Sequence, residues 1–154
     1  MNREDASLDW DDDLETPEEI ESDQWSRYIK KYVPTPEDRI PEFYNLKLPG
    51  DKGTLQFEWD EEKNRINIAE HHVPFTLAML VFADENLLIA YDEKHSAKED
   101  RWNAIGCVDV KGRHKFFFVV YAERYYKDAG LAYRLISARR AKESEVDIYY
   151  DQDR

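Results

Sequence analysis

The chain has 154 residues, a hydrophobic content of 42%, one cysteine and a formal net charge of -12 at pH 7. This composition is sufficient for a folded domain, and a single cysteine excludes a disulfide framework within the chain. No leader pattern and no apolar run of the roughly 18 residues needed for a membrane span is visible, so we expect a soluble, cytoplasmic protein with no membrane partner.

The negative charge is concentrated near the N-terminus. Residues 1–55 hold 15 acidic and 7 basic side chains, so the remainder of the chain is only mildly acidic. Nucleic-acid binding relies on Lys and Arg side chains that contact phosphates. The global charge therefore does not decide whether the partner is a nucleic acid.

Residues 1–54 are predicted to be an acidic, proline-containing extension, partly disordered or wrapped on the surface. Two interpretations are open: a linker or surface-packed segment, or an acidic arm that imitates phosphates and covers a basic site of the same chain. The segment Pro49–Gly53 is the expected boundary, which assigns residues 55–154 to the compact domain.

Leu55 to Trp59 alternates as a short strand does, and Asp60 is a suitable N-cap for a helix that runs to His72. Lys63, Asn67 and His71 are spaced four residues apart and share one face of this helix.

Pro74 is predicted to start a second helix, from Phe75 to Phe82, which is apolar nearly all round and is expected in the core. After this helix the spacing of the apolar residues changes from the helical period to every second residue. Four successive strands are predicted, at Leu87–Tyr91, Arg101–Val108, Lys115–Glu123 and Ala132–Ala138.

Short links between successive strands indicate an antiparallel four-stranded meander, so the predicted fold class is α+β. Lys142 to Tyr150 suits a short C-terminal helix, although its apolar spacing also fits a terminal strand.

Arg139 and Arg140 leave the last predicted strand side by side. Guanidinium groups carry planar forks of donors that fit phosphate oxygens, and the end of a strand holds them firmly. The alternative is that they form salt bridges with Glu143 and Glu145 on the following segment.

Residues 56–141 contain four motifs, which are Phe57-Glu58-Trp59-Asp60-Glu61-Glu62-Lys63, Asn67-Ile68-Ala69-Glu70-His71-His72-Val73-Pro74-Phe75, Arg101-Trp102-Asn103-Ala104-Ile105-Gly106 and Ile136-Ser137-Ala138-Arg139-Arg140-Ala141. Together, and in this order, they resemble the BrnT family of bacterial type II toxins. The resemblance covers the compact domain and none of the first 55 residues. The chain departs from the family pattern at Glu70, where Lys is common, and at His72, where Gly stands.

The resemblance implies a RelE-like fold, with two helices packed on the sheet, and a ribosome-independent endoribonuclease toxin that inhibits translation. It also implies an RNA substrate and a ribbon-helix-helix antitoxin, similar to BrnA, as partners. By motif position the catalytic set is Lys63, His71, Arg101, Arg139 and Arg140, and we assign RNA binding to Asn67, Arg134 and Ser137. The alternative function is a noncatalytic BrnT-like binding module with an acidic regulatory arm, which the two departures favour.

The residue types suit RNA cleavage without a metal. Attack by the 2′-hydroxyl needs a base, an acid and cations that offset charge on the phosphorane. His71 is the natural base or acid because its charge changes near neutral pH, and Lys63 is a further cation or the acid. The arginines of the set are the remaining cations.

No cofactor and no metal site are predicted. The candidate ligands lack the His or Cys spacings of a zinc site, and the chain has no glycine-rich phosphate loop. These candidates are His71, His72, His95, His114, Asp92 and Cys107, of which Cys107 is expected to belong to the core.

Overall fold

The computed structural model describes residues 42–152, which form one six-stranded sheet and three helices. The strands are β1 (Tyr44–Lys47), β2 (Thr54–Glu58), β3 (Leu88–Tyr91), β4 (Trp102–Val110), β5 (Arg113–Tyr126) and β6 (Gly130–Arg140). The helices are α1 (Glu61–His71), α2 (Phe75–Ala78), which continues as a 3₁₀ helix over Met79–Ala83, and α3 (Glu143–Asp151).

The order of the strands across the sheet is β1-β2-β6-β5-β4-β3. All neighbouring pairs are antiparallel except β2 and β6, which run parallel, with Phe57 opposite Tyr133 and Glu58 opposite Arg134. The chain therefore leaves the sheet after β2, passes through α1 and α2, and returns through β3, β4 and β5 before β6 lies beside β2.

The α+β class is present, but the sheet is larger than the predicted four-stranded meander. The four predicted strands correspond to β3–β6, and β1 and β2 extend the sheet beyond β6. Pairing between β2 and β6 depends on contacts more than 70 residues apart in the chain, which local periodicity does not reveal. The predicted C-terminal segment is a helix and not a strand.

The sheet begins within the segment that we assigned to the N-terminal extension. β1 pairs with β2, and the expected boundary at Pro49–Gly53 lies in the turn between them, where the Leu48 N–H donates to the Gly53 carbonyl at 2.8 Å. Tyr44 and Leu46 are half-buried whereas Asn45 and Lys47 are exposed, as alternation along a strand requires. The predictions for residues 1–41 concern a part of the chain outside the described residues.

The two faces of the sheet have different coverings. The helix face carries α1 and α2, and its core includes Phe57, Phe75, Phe82 and Tyr121, with the Phe57 and Phe82 rings 5.0 Å apart edge to face. The open face carries a smaller apolar cluster, formed by Phe118, Val120, Ala122 and Ile136. At one end of the open face α3 packs its Tyr149 ring 5.2 Å from Phe116.

A register shift in β6 decides which of its side chains reach each face. Tyr121 lies opposite Leu135, whereas Val120 lies opposite Ser137, so Ile136 is an extra residue in β6. Such a bulge reverses the alternation beyond it. Leu135 and Ala138 consequently both belong to the core of the helix face.

Gly106 allows the 3₁₀ helix to pack directly on β4. A Cβ atom at this position would lie 2.8 Å from the Val81 Cβ and 3.1 Å from the Val81 carbonyl oxygen. Gly106→Ala is therefore expected to lower the free energy of unfolding by about 1–3 kcal/mol, as overpacking does. Urea denaturation measures the change, with Asp109→Ala, at an exposed position of the same strand, as the control. Equal stability of the two variants would contradict the close approach.

Among the described residues, no single helix has both the length and the apolarity needed to cross a membrane.

Candidate functional site

Asn67 attaches α1 to the edge of β6. Its Nδ2 donates to the carbonyls of Ala138 and Val73, both at 2.8 Å, and its Oδ1 accepts from the Ala138 N–H at 3.1 Å and the Ser137 hydroxyl at 3.5 Å. β2 pairs with β6 only at Tyr133 and Arg134. Farther along β6, at Ala138, the side-chain amide of Asn67 makes the hydrogen bonds that a neighbouring strand would otherwise make.

Asn67 and Ser137, which we assigned to RNA binding, use these polar groups within the fold. Asn67 is 5% exposed and Ser137 is 3% exposed. We therefore give both residues a positioning role: they hold α1 in a fixed place along β6.

Polar contacts, and not an apolar stripe, bring α1 onto the domain. The Asn64 Oδ1 accepts the Phe75 N–H at 2.9 Å, and Asn64 and Asn67 are the buried residues of α1. Ile66 and Ile68 are exposed on its other side. The N-terminus of α1 is capped as predicted: the Asp60 side chain accepts the Glu62 N–H at 2.8 Å.

His71 and Arg140 lie toward the same end of the domain. β2 ends with Glu58 opposite Arg134, and Asn67 of α1 lies beside Ala138, which is four residues farther along β6. From the end of β2 to Asn67 the chain therefore advances in the direction of β6. One further helical turn advances α1 by about 5.4 Å to His71. Two further residues advance β6 by about 6.6 Å to Arg140.

Arg140 is on the helix face, as α1 is. It lies opposite Phe117 of the core, and its guanidinium carbon is 5.9 Å from the Phe117 ring centroid. The residue is exposed, whereas His71 is half-buried at the end of α1. An exposed cation and a histidine thus occupy one end of the α1–β6 contact.

Lys63 lies on the same stripe of α1 as His71, but two turns earlier. Eight residues of helix separate their Cα atoms by about 12 Å. The two side chains therefore leave one face of α1 at points about 12 Å apart.

Arg139 points to the open face, away from Arg140. Its guanidinium lies 4.3 Å from the Phe118 ring centroid and makes two hydrogen bonds to the Glu145 carboxylate, at 2.9 and 2.8 Å. Only 7% of Arg139 is exposed. Arg139 therefore forms a salt bridge with Glu145, as the alternative predicted. The side chains of Arg139 and Arg140 lie on opposite faces of the sheet.

Arg134 also belongs to the open face, where it is opposite Ala122 of β5 and Glu58 of β2. Arg101 lies just before β4, and its backbone N–H donates to the Ser96 hydroxyl at 2.9 Å. Arg101 is 1% exposed, whereas a third of the Arg134 side chain is exposed.

Three polar residues of the open face were not predicted: Glu58, Arg124 and Tyr126. The Tyr126 hydroxyl donates to Glu58, whose other carboxylate oxygen is 3.9 Å from Nη1 of Arg134. Burial and the hydrogen bond to Glu58 raise the pKa of Tyr126, so its hydroxyl remains a donor. The third predicted strand ended at Glu123, whereas β5 ends three residues later, at Tyr126. In a strand of the full length, alternation puts Arg124 and Tyr126 on the same face as Ala122.

Within residues 42–152 no group of three or more His, Cys, Asp or Glu side chains is arranged to hold a metal ion. Of the candidate ligands, His95 pairs with Asp92, with the ring Nδ1 3.0 Å from Oδ2. Cys107 is half-buried in β4, and burial raises the pKa of its thiol.

His72 adopts the left-handed conformation that ends α1, with φ 62° and ψ 29°, and its N–H donates to the Ile68 carbonyl at 2.8 Å. This conformation favours glycine, which has no Cβ to clash with the backbone. His72→Gly is therefore expected to raise the free energy of unfolding by about 1 kcal/mol.

Lys111 is the matched control, because it is the other non-glycine residue with positive φ (53°) in the described chain. Thermal or urea unfolding should show a similar gain for Lys111→Gly. A gain at Lys111 without a gain at His72 would show that the His72 side chain makes compensating contacts.

A comparison with protein families gives one match. The model of the family described as "Ribonuclease toxin, BrnT, of type II toxin-antitoxin system" matches residues 59–145, which include α1, α2, β3 to β6 and the start of α3. No curated protein sequence matches the chain. Because the family model covers more than half of the 154 residues, the chain belongs to the BrnT family of type II ribonuclease toxins.

Proposed function

We propose that this protein is a metal-independent endoribonuclease toxin that inhibits translation by cutting RNA in the cytoplasm. The observation that supports the proposal most directly is the attachment of α1 to β6 through Asn67, which puts His71 and the exposed Arg140 at one end of the domain. A RelE-like arrangement of the two helices on the sheet is part of the same proposal.

The chemistry uses the substrate's own 2′-hydroxyl. Its oxygen forms a bond to phosphorus while the bond from phosphorus to the 5′-oxygen breaks. The proton of the 2′-hydroxyl passes to a base, and the 5′-oxygen receives a proton from an acid. His71 performs one of these two transfers, because imidazole exchanges a proton near neutral pH.

Arg140 offsets the charge that grows on the phosphorane oxygens. A guanidinium offers two parallel donors to such oxygens, and its exposure leaves them accessible to RNA. Lys63, about 12 Å along α1, contacts the backbone at another nucleotide. Arg134 contributes to RNA binding from the open face.

Arg101 and Arg139 receive positioning roles in this proposal. Both are buried, and Arg139 connects β6 to α3 through Glu145. Arg139 points to the face of the sheet opposite to that of Arg140.

We further propose that the neutralising partner is a ribbon-helix-helix antitoxin similar to BrnA. Type II toxins are held inactive by a protein, so the family assignment gives an antitoxin as the partner class. Co-expression of the toxin with the ribbon-helix-helix protein of a neighbouring reading frame should yield a stable complex without ribonuclease activity.

The test is cleavage of a labelled RNA by the purified full chain in excess EDTA. We expect cleavage with 2′,3′-cyclic phosphate ends, and arrest of protein synthesis in a translation extract. Cleavage that requires an added divalent cation would contradict metal independence. Absence of cleavage with and without cations would contradict the enzymatic function itself.

The alternative is a noncatalytic BrnT-like binding module. The burial of Arg101 and Arg139 favours it, because two of the five predicted catalytic side chains lie inside the protein. Induced expression distinguishes the two functions. An active toxin stops growth and its His71→Ala variant does not, whereas a binding module gives equal growth for both at equal protein levels.

A further inference from the structure

The open face has an arginine cluster, which consists of Arg124, Arg134 and Arg139. Each of the three guanidinium groups lies near one carboxylate. Within the described chain, Arg124 pairs with Glu99 at 3.0 Å and Arg139 pairs with Glu145 at 2.8 Å. Glu58, the neighbour of Arg134, is the third carboxylate of this face.

Arg134 is the member best placed to bind another anion. Its Nη1 lies 3.9 Å from the Glu58 carboxylate, which is beyond hydrogen-bond distance, and the second Glu58 oxygen already accepts the Tyr126 hydroxyl. A third of its side chain is exposed. Carboxylate or phosphate oxygens can therefore approach its guanidinium fork from solvent.

The chain enters the described domain beside this cluster. The Phe43 ring packs edge to face on the Tyr126 ring, with centroids 5.6 Å apart. Tyr126 contacts Glu58, and Glu58 is opposite Arg134 in the sheet. The residues that precede Glu42 are thus attached next to Arg134.

The attached segment has the complementary charge. Residues 1–41 contain 13 acidic and 5 basic side chains, including the run Asp11-Asp12-Asp13. A chain of this length spans up to about 135 Å when extended, whereas six strands span only about 24 Å. Covalent attachment also gives it an effective concentration on the order of millimolar.

We propose that the acidic segment before Glu42 binds the open face at Arg134 and competes there with the phosphates of RNA. The carboxylates of the segment occupy the donors that RNA phosphates would use. Only the identity of the competing ligand rests on the proposed function, because binding of the segment to Arg134 does not require cleavage.

The experiment measures binding of a fluorescent 2′-O-methyl oligonucleotide, which has no 2′-hydroxyl to react, to the full-length protein at several salt concentrations. The test variant replaces three carboxylates in the segment, Asp11→Asn, Asp12→Asn and Asp13→Asn. The control variant removes three exposed carboxylates of the domain, Asp51→Asn, Glu85→Gln and Asp109→Asn, so the net charge changes equally.

We expect the test variant to bind the oligonucleotide about tenfold more tightly than the unmodified chain, and the control variant to change the Kd by less than about twofold. In an Arg134→Gln background the gain from the test variant should disappear. An equal gain in the test and control variants, or a gain that persists with Arg134→Gln, would overturn the proposal.

The comparison of the two triple variants does not depend on how Arg134→Gln folds, since both keep Arg134. The readout is equilibrium binding, so a protein that binds but never cleaves RNA contradicts the proposed function and leaves this comparison intact.

Discussion

His71→Ala is expected to lower the rate of RNA cleavage by about 10²–10⁴-fold, the usual contribution of one positioned proton transfer. His71 ends α1, on the stripe that also presents Asn67 to β6. Alanine is a good helix former, so the change removes the imidazole and keeps the helix. Single-turnover cleavage of a labelled RNA measures the effect.

His114→Ala is the matched control for this variant. His114 is exposed near the start of β5, beyond the turn from β4, and has no role in the proposed mechanism. The control should cleave RNA at the unmodified rate. If His71→Ala and His114→Ala cleave equally fast, the proton-transfer role of His71 is wrong even though the protein is a ribonuclease.

Asn67→Ala is expected to lower the free energy of unfolding by about 3 kcal/mol or more. The change leaves the Ala138 N–H, the Ala138 carbonyl and the Val73 carbonyl without their amide partner, and each buried unsatisfied group costs about 1–3 kcal/mol. Domains of this size are stable by only about 5–15 kcal/mol, so the loss is a large part of the total.

Urea denaturation followed by circular dichroism measures this loss, and Asn45→Ala, at an exposed position of β1, is the control. The Asn67 variant should also cleave RNA more slowly under native conditions, because α1 no longer keeps His71 beside the end of β6. A loss below about 1 kcal/mol would show that the amide is not what fastens α1.

The local elements of the fold could be predicted because each depends on neighbouring residues. Asp60 caps α1 as expected, and the turn near Gly112 joins β4 to β5. The position of β2 beside β6 could not be predicted, because it rests on two residue pairs far apart in the sequence. β1 has four residues, too few for a periodicity that distinguishes it from an irregular segment.

The candidate site was predictable in residue type and not in orientation. Regular alternation would place Leu135 and Arg139 on one face and Ile136, Ala138 and Arg140 on the other. The extra residue at Ile136 moves Ala138 and Arg140 to the face of Leu135, and so turns Arg139 toward Glu145. Alternation alone separates the two arginines, but a bulge has no reliable sequence signal, so only the structure shows that Arg140 and not Arg139 shares the face of α1.

The central claim is that cleavage occurs at the α1 end of the helix face and uses Arg140. The direct test is the single-turnover cleavage rate of Arg140→Gln, whose exposed side chain can change without loss of stability. We predict a decrease of about 10²-fold or more, with an unchanged unfolding midpoint. A cleavage rate within twofold of the unmodified protein would contradict the claim.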